Sequence, residues 1–252
     1  MNDDVRNIVL GMAAAGLSAA LGWLARTCLW NRRLRRKQAF FGLPDNSESV
    51  LVVNRDAGSP DLAVHRYDVF ALLELSALIK ECGANADVIT QDAARQGFGE
   101  RTEFCVGGPG SNRRMAAHMR AMLPGMRVNV DSEPGPDRLA FQIGSERYRL
   151  EKGVGEYVVL ARLTTGQPGR ARPVFLFCGQ TAITNQAAAR YLYRHHERLA
   201  RKHGNSTFVL LLKVVNSQAY GPDVTELVAD VTRAAQAPLP TTAPARSSHR
   251  AP

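Results

Sequence analysis

Between Arg6 and Arg26 no residue is charged, and from about Ser49 onward short apolar runs alternate with longer segments whose apolar residues recur every three or four positions. Residues 7–25, "NIVLGMAAAGLSAALGWLA", carry no polar stripe, and as a helix they extend about 28 Å, close to the thickness of a bilayer core. Leu29 and Trp30 prolong the apolar stretch past Arg26, whose long side chain can snorkel to the headgroups. The alternating part opens with "SVLVVNR" (49–55), a β-branched run that reads as a buried strand. "YDVFALLELSALIKECG" follows as a helix, with Val69, Leu72, Leu73, Leu75, Leu78 and Ile79 on one stripe and Gly83 as its stop. "ADVIT" and "TEFCVGG" read as further strands. "SNRRMAAHMRAMLPG" reads as a helix capped by Ser111 or Asn112 and ended by Pro124 and Gly125.

The middle of the chain changes character. "RLAFQIG", "ERYRLEKG" and "EYVVLARLTTG" are shorter, partly alternating runs broken by glycine, which predicts antiparallel strands or hairpins. The strand–helix pattern then resumes with "VFLFCG", "TAITNQAAARYLYRHHERLARKHG", "TFVLLLKVV" and "PDVTELVADVTRAA", the last expected as a helix with Pro222 in its first turn. Uniformly apolar strands separated by helices imply a mostly parallel sheet covered on both faces. The expected fold class is α/β: a three-layer Rossmann-like or flavodoxin-like sheet with an antiparallel hairpin insertion, preceded by one transmembrane helix. The expected divisions are an anchor over 1–30, a basic juxtamembrane linker over 31–48, an α/β domain over 49–236 and a disordered tail over 237–252, where Pro, Thr, Ala, Ser and Arg dominate.

Charge changes the picture at the anchor. The chain carries a net +9, but Arg26, Arg32, Arg33, Arg35, Arg36 and Lys37 cluster behind the apolar stretch with no acid among them. Residues 38–237 are close to neutral, so no nucleic-acid surface is expected. Asp3 and Asp4 precede the apolar run and the basic cluster follows it, the reverse of a signal peptide. The positive-inside rule then places the N-terminus outside and the main domain in the cytoplasm, a single-pass protein of the cell membrane. Arg32, Arg33, Arg35, Arg36 and Lys37 are expected to attract anionic membrane lipid. Gly11, Ala15, Ser18 and Gly22 share a helix face at the spacing that permits close helix approach, so the anchor is a candidate for homo-oligomerisation. The four cysteines form no CxxC pair, no metal site is expected, and Cys105 and Cys178 sit in apolar runs as small hydrophobes.

Candidate chemistry concentrates in three strand-to-helix loops. "FCVGGPGSNRRMAAHM" and "FLFCGQTAITNQAAARYL" share an order of apolar strand, glycine, small polar loop, asparagine and a helix with paired alanines. Glycines let a ligand approach the backbone, and a following helix start offers unpaired N–H groups and the positive end of its dipole. Candidate ligand-binding residues are Gly107, Gly108, Ser111, Asn112 and Arg113 in one loop and Gly179, Thr181, Thr184 and Asn185 in another. Asn54, Arg55 and Asp56 follow the first strand, with His65 and Asp68 beyond them. All three loops line one crevice if their strands are neighbours. No GxGxxG or GxxxxGK[ST] is present, nor any GxSxG or HExxH. Glu103 and Asp92 are the carboxylates nearest the crevice and the candidates for a general base; no cofactor is specified.

Together, "VLVVNRDAGSP", "TEFCVGGPGSN" and "CGQTAITNQAAARYL" resemble an uncharacterised actinobacterial group of membrane-anchored Rossmann-like proteins, over most of residues 40–235. The resemblance implies a bacterial setting and brings no activity with it. Three functions follow as expectations. The first is a membrane-tethered domain that binds a nucleotide or phosphorylated small molecule as a sensor or regulator. The second is an enzyme of the same fold that hydrolyses or transfers a nucleoside- or phosphate-bearing group. The third is a membrane scaffold without a small ligand.

Overall fold

The computed structural model describes residues 2–54, 63–90, 97–131, 133, 135–164 and 172–239. One continuous helix, α1 (Asn2–Phe41), opens the chain, and from Asp4 it is long and apolar enough to cross a membrane. Residues 4–26 are exposed along their whole length. The segment expected as a linker is helical as far as Phe41, and the end of α1 belongs to the domain. Phe40, Phe41 and Leu43 are fully buried, with Phe41 5.5 Å from the Phe175 ring and Phe40 stacked on Phe208 at 6.3 Å. Arg162 donates from Nε to the Phe40 carbonyl at 3.1 Å, Gln38 donates to the Cys82 carbonyl at 2.8 Å, and Lys37 pairs with Glu81. An aromatic pair directly after the basic run explains this docking, because burying two phenylalanines is worth several kcal/mol.

The remaining elements are β1 (Glu48–Val53), α2 (Arg66–Glu81), β2 (Asn85–Thr90), β3 (Thr102–Val106), α3 (Arg113–Met122), β4 (Met126–Val128), β5 (Phe141–Ile143), β6 (Glu146–Tyr148), β7 (Gly155–Leu163), β8 (Val174–Gly179), α4 (Ala182–His203), β9 (Phe208–Val215), α5 (Ser217–Tyr220), β10 (Thr225–Asp230) and α6 (Thr232–Gln236). Seven strands form one sheet in the order β2-β1-β3-β8-β7-β9-β10, and β4, β5 and β6 form a small antiparallel sheet. β2, β1, β3, β8 and β9 point the same way, while β7 and β10 oppose them. Side chains alternate cleanly between two cores. Leu51, Phe104, Val106, Phe175 and Phe177 face α2, α4 and the end of α1. Val50, Val52, Cys105, Leu176 and Cys178 face α3, α6 and the small sheet. Burial on both faces is why these strands read as unbroken apolar runs. Burial pushes the Cys178 thiol up to about 12 and raises that of Cys105 well above its usual value, so both stay protonated and act as apolar filling.

Two elements differ from the sequence reading. β7 lies inside the main sheet, hydrogen-bonded to β8 and β9, whereas the rest of the hairpin block forms the separate small sheet. The final segment is not one helix: β10 pairs antiparallel with β9 through a register shift between Leu227 and Ala229, and only α6 is helical. The β-branched Val224, Thr225 and Val228 suit an edge strand, and that preference overrides the apolar spacing. The tail from residue 240 lies outside the described residues.

Candidate functional site

β1, β3 and β8 are parallel neighbours, so their carboxyl ends lie side by side. α2 leaves β1 toward one face of the sheet, α3 leaves β3 toward the other, and α4 leaves β8 toward the first face again. The chain therefore parts on either side of β3, the arrangement that opens ligand crevices in α/β sheets. An open cleft of about 460 Å³ occupies this place, and all three loops contribute to its wall.

Each loop is shaped by close packing. Gly107 has φ +109°, and a Cβ there would lie 2.7 Å from the Asn54 side chain, so the first loop rests directly on the second. Asn54 donates from Nδ2 to Ser111 Oγ at 3.3 Å across that contact, and both residues line the cleft. A Cβ on Gly179 would strike Thr184 Oγ1 at 2.2 Å and Asn185 Oδ1 at 2.5 Å, because these side chains fold back over the strand end. Asn185 Oδ1 accepts the Gly179 N–H at 2.8 Å, and its Nδ2 donates to the buried Asp68 carboxylate at 2.8 Å. Thr184 donates to the Thr181 carbonyl at 2.7 Å. These contacts aim the first turn of α4, a 22-residue helix, at the cleft.

The far wall comes from the small sheet and its loops, through Val128, Val130, Asp131, Arg138 and Leu139. Gln180 holds it in place. Its Nε2 donates to the carbonyls of Leu139 and Tyr148, both at 3.0 Å, while its Oε1 accepts the Tyr157 N–H at 2.8 Å. Leu139 has φ +60°, a left-handed conformation costly for leucine that the Gln180 bond helps to fix. Behind the cleft, buried Glu156 accepts from the Thr181 hydroxyl, from Ser217 Oγ at 3.1 Å and from the Gly153 N–H at 2.7 Å.

The candidate residues sort accordingly. Asn54, Gly108, Ser111, Gly179, Thr181 and Asn185 line the cleft, as do His65 and Asp68. Asn112 does not. Fully buried, it caps α3 by accepting the N–H groups of Arg114 and Met115 at 3.0 Å, and it donates to the Val106 carbonyl at 2.9 Å. Gly107, Arg113 and Thr184 also lie outside the lining. Asn112→Ala should therefore cost about 1–2 kcal/mol in denaturant unfolding while leaving the lining of the cleft intact in the folded fraction. Arg55, Asp56 and Asp92 lie outside the described residues.

Glu103 sits beneath α3, away from the cleft, as the acceptor of a bidentate pair from Arg114 (2.8 and 3.1 Å) and of His118 Nε2 at 2.8 Å. An ionised carboxylate only accepts, so His118 carries a proton on Nε2. Burial pushes the Glu103 carboxyl up, but the hydrogen bonds from His118 and Arg114 outweigh it and hold it at about 2. So weak a base, already bonded to these partners, is poorly suited to abstracting a proton. Gln180, Arg138 and Leu139 escaped the sequence reading. Gln180 directly follows the glycine of its loop, a legible signal; the other two reach the cleft only through folding of the small sheet.

Fold and cleft together define an α/β protein with a long N-terminal apolar helix and an open crevice at the carboxyl edge of its sheet. No protein-family model matches the chain, and no curated protein matches it.

Proposed function

We propose that the chain is a membrane-tethered protein whose Rossmann-like or flavodoxin-like domain binds a nucleotide or phosphorylated small molecule in the cleft, as a sensor or regulator. The observation that carries the reading is the convergence of the loops after β1, β3 and β8 on one cavity of about 460 Å³, a size typical of small-molecule sites. The first turn of α4, the Ser111 hydroxyl and Arg138 are suited to phosphate. The end of α1 meets the sheet at its amino edge, where Thr102 Oγ1 donates to the Gly42 carbonyl at 2.7 Å. The cleft lies at the opposite edge, about 17–20 Å away along the strands, which favours a water-soluble ligand.

The regulatory part draws on α2 and α4. Each begins at the cleft, with Asp68 and Thr181, and each ends against α1, with Glu81 and Ala200. Positive charge behind the anchor supports a cytoplasmic domain and an N-terminus outside. The same cluster, Arg32, Arg33, Arg35, Arg36 and Lys37, engages anionic lipid, and the small-residue stripe of α1 supports self-association. A second reading, transfer or hydrolysis of a phosphate- or nucleoside-bearing group, is favoured by one observation: the Thr181 hydroxyl in the cleft is held by the buried Glu156 carboxylate.

Calorimetric titration of the detergent-solubilised full chain against nucleotides and sugar phosphates tests the proposal. Saturable binding is expected, weakened about tenfold or more by Arg138→Ala or Ser111→Ala and unchanged by Arg120→Ala on the exposed face of α3. Product formation from the bound ligand selects the second reading. A folded protein that binds no phosphate-bearing compound contradicts both.

A further inference from the structure

A second cavity, about 650 Å³, lies between the end of α1 and the last turns of α4, and no part of the cleft contributes to it. Arg33, Arg36, Lys37 and Phe40 supply one wall, at helix positions i, i+3, i+4 and i+7, which form a single face. Arg201 faces them from α4, with Ala200 beside Phe40 on the floor. Lys37 is committed to Glu81, and the groove's acid, Glu197, lies 3.9 Å from Arg201 on an exposed surface. Arg33 and Arg36 make no ion pair among the described residues and are exposed. Arg32 and Arg35 belong to the same basic run, but the helix turns them away from the groove.

Depth matters as much as charge. Arg33 and Arg36 stand about 5 and 9 Å along the helix axis beyond Trp30, the last residue of the apolar stretch. Headgroup regions add roughly 5–8 Å to each side of a bilayer core, and tryptophan marks that boundary. The groove therefore opens at headgroup level, with cations at its rim and an apolar floor.

We infer that this groove is a binding site for one anionic phospholipid, its headgroup phosphate held by Arg33, Arg36 and Arg201. The inference rests on the anionic-lipid reading above and turns a diffuse attraction into a defined site shared by the anchor and the domain. The occupant is a lipid because the site is amphiphilic and lies where α1 emerges from the bilayer. Arginine suits it through bidentate contact with phosphate.

Native mass spectrometry of the full chain released from micelles of equal phosphatidylglycerol and phosphatidylcholine tests the site. The wild type should retain one phosphatidylglycerol. Retention should fall at least tenfold in Arg33→Gln/Arg36→Gln and severalfold in Arg201→Gln, and stay at the wild-type level in Arg32→Gln/Arg35→Gln, which removes equal charge from outside the groove. All these residues are exposed, so melting temperatures should match. Equal loss in the two double variants, or no loss in Arg201→Gln, overturns the site while leaving diffuse lipid attraction standing. Equal retention of both lipids by the wild type overturns the lipid reading itself. Displacement of the lipid by millimolar glycerol phosphate would assign the groove to a soluble phosphate ester and likewise overturn the proposal.

Discussion

Phe41→Ala is expected to lower the unfolding free energy by about 3–5 kcal/mol, the largest effect of any single substitution at the junction of α1 and the sheet. Phe41 is fully buried and contacts Phe40 at 4.9 Å and Phe175 at 5.5 Å between ring centroids. Its removal leaves a cavity at the amino edge of the sheet, beneath carbonyls that Arg162 and Thr102 use as acceptors. The same contacts fix where α1 can be cut. A chain beginning at residue 34 keeps Lys37, Gln38 and both phenylalanines and should fold. One beginning at residue 44 loses them and should not. Denaturant unfolding in detergent checks the substitution, and a loss below 1 kcal/mol would show that α1 is only loosely attached.

The second large effect concerns Glu103. Its carboxyl is held at about 2 in the folded protein, against roughly 4.3 when exposed, so the folded state binds fewer protons than the unfolded state between these values. The stability Glu103 contributes is therefore complete above about pH 5 and is lost as the pH falls toward 2. Glu103→Gln should cost on the order of 3 kcal/mol at pH 7, because Arg114 and His118 lose their charged partner in a buried setting. The gap between variant and wild type should then narrow steadily from pH 5 to pH 3. A pH-independent gap would mean that the cost lies in packing alone.

Much of the fold was legible because its signals are local. The continuous apolar runs of β1, β3, β8 and β9 reflect burial on both faces, and Gly83 and Gly204 mark the ends of α2 and α4 with positive φ. The glycines and capping residues of two strand-to-helix loops were identifiable, but the convergence of the loops after β1, β3 and β8 required the neighbour order of those strands, which no local pattern encodes. The division of labour between the two asparagines was equally hidden. Asn112 and Asn185 occupy similar places in similar sequences, yet one caps its own helix beneath the surface while the other bridges Gly179 and Asp68 at the cleft wall. The docking of α1 was missed because a basic run normally marks a linker. The aromatic pair that follows it finds a pocket made of Phe104, Phe175 and Phe208, residues distant in sequence. β10 was obscured because an edge strand with a bulge does not keep a clean two-residue period.

The proposed function requires one ligand to occupy one cleft built by three loops. Amide hydrogen exchange of the full chain in nanodiscs, with and without a saturating nucleotide from the titration panel, tests that requirement. Coincident protection is expected at 63–68, 107–112 and 179–185, and at the Arg138–Leu139 wall, with little change along β10. Protection confined to a single loop, or appearing at the α1–α4 groove in place of the cleft, would contradict it.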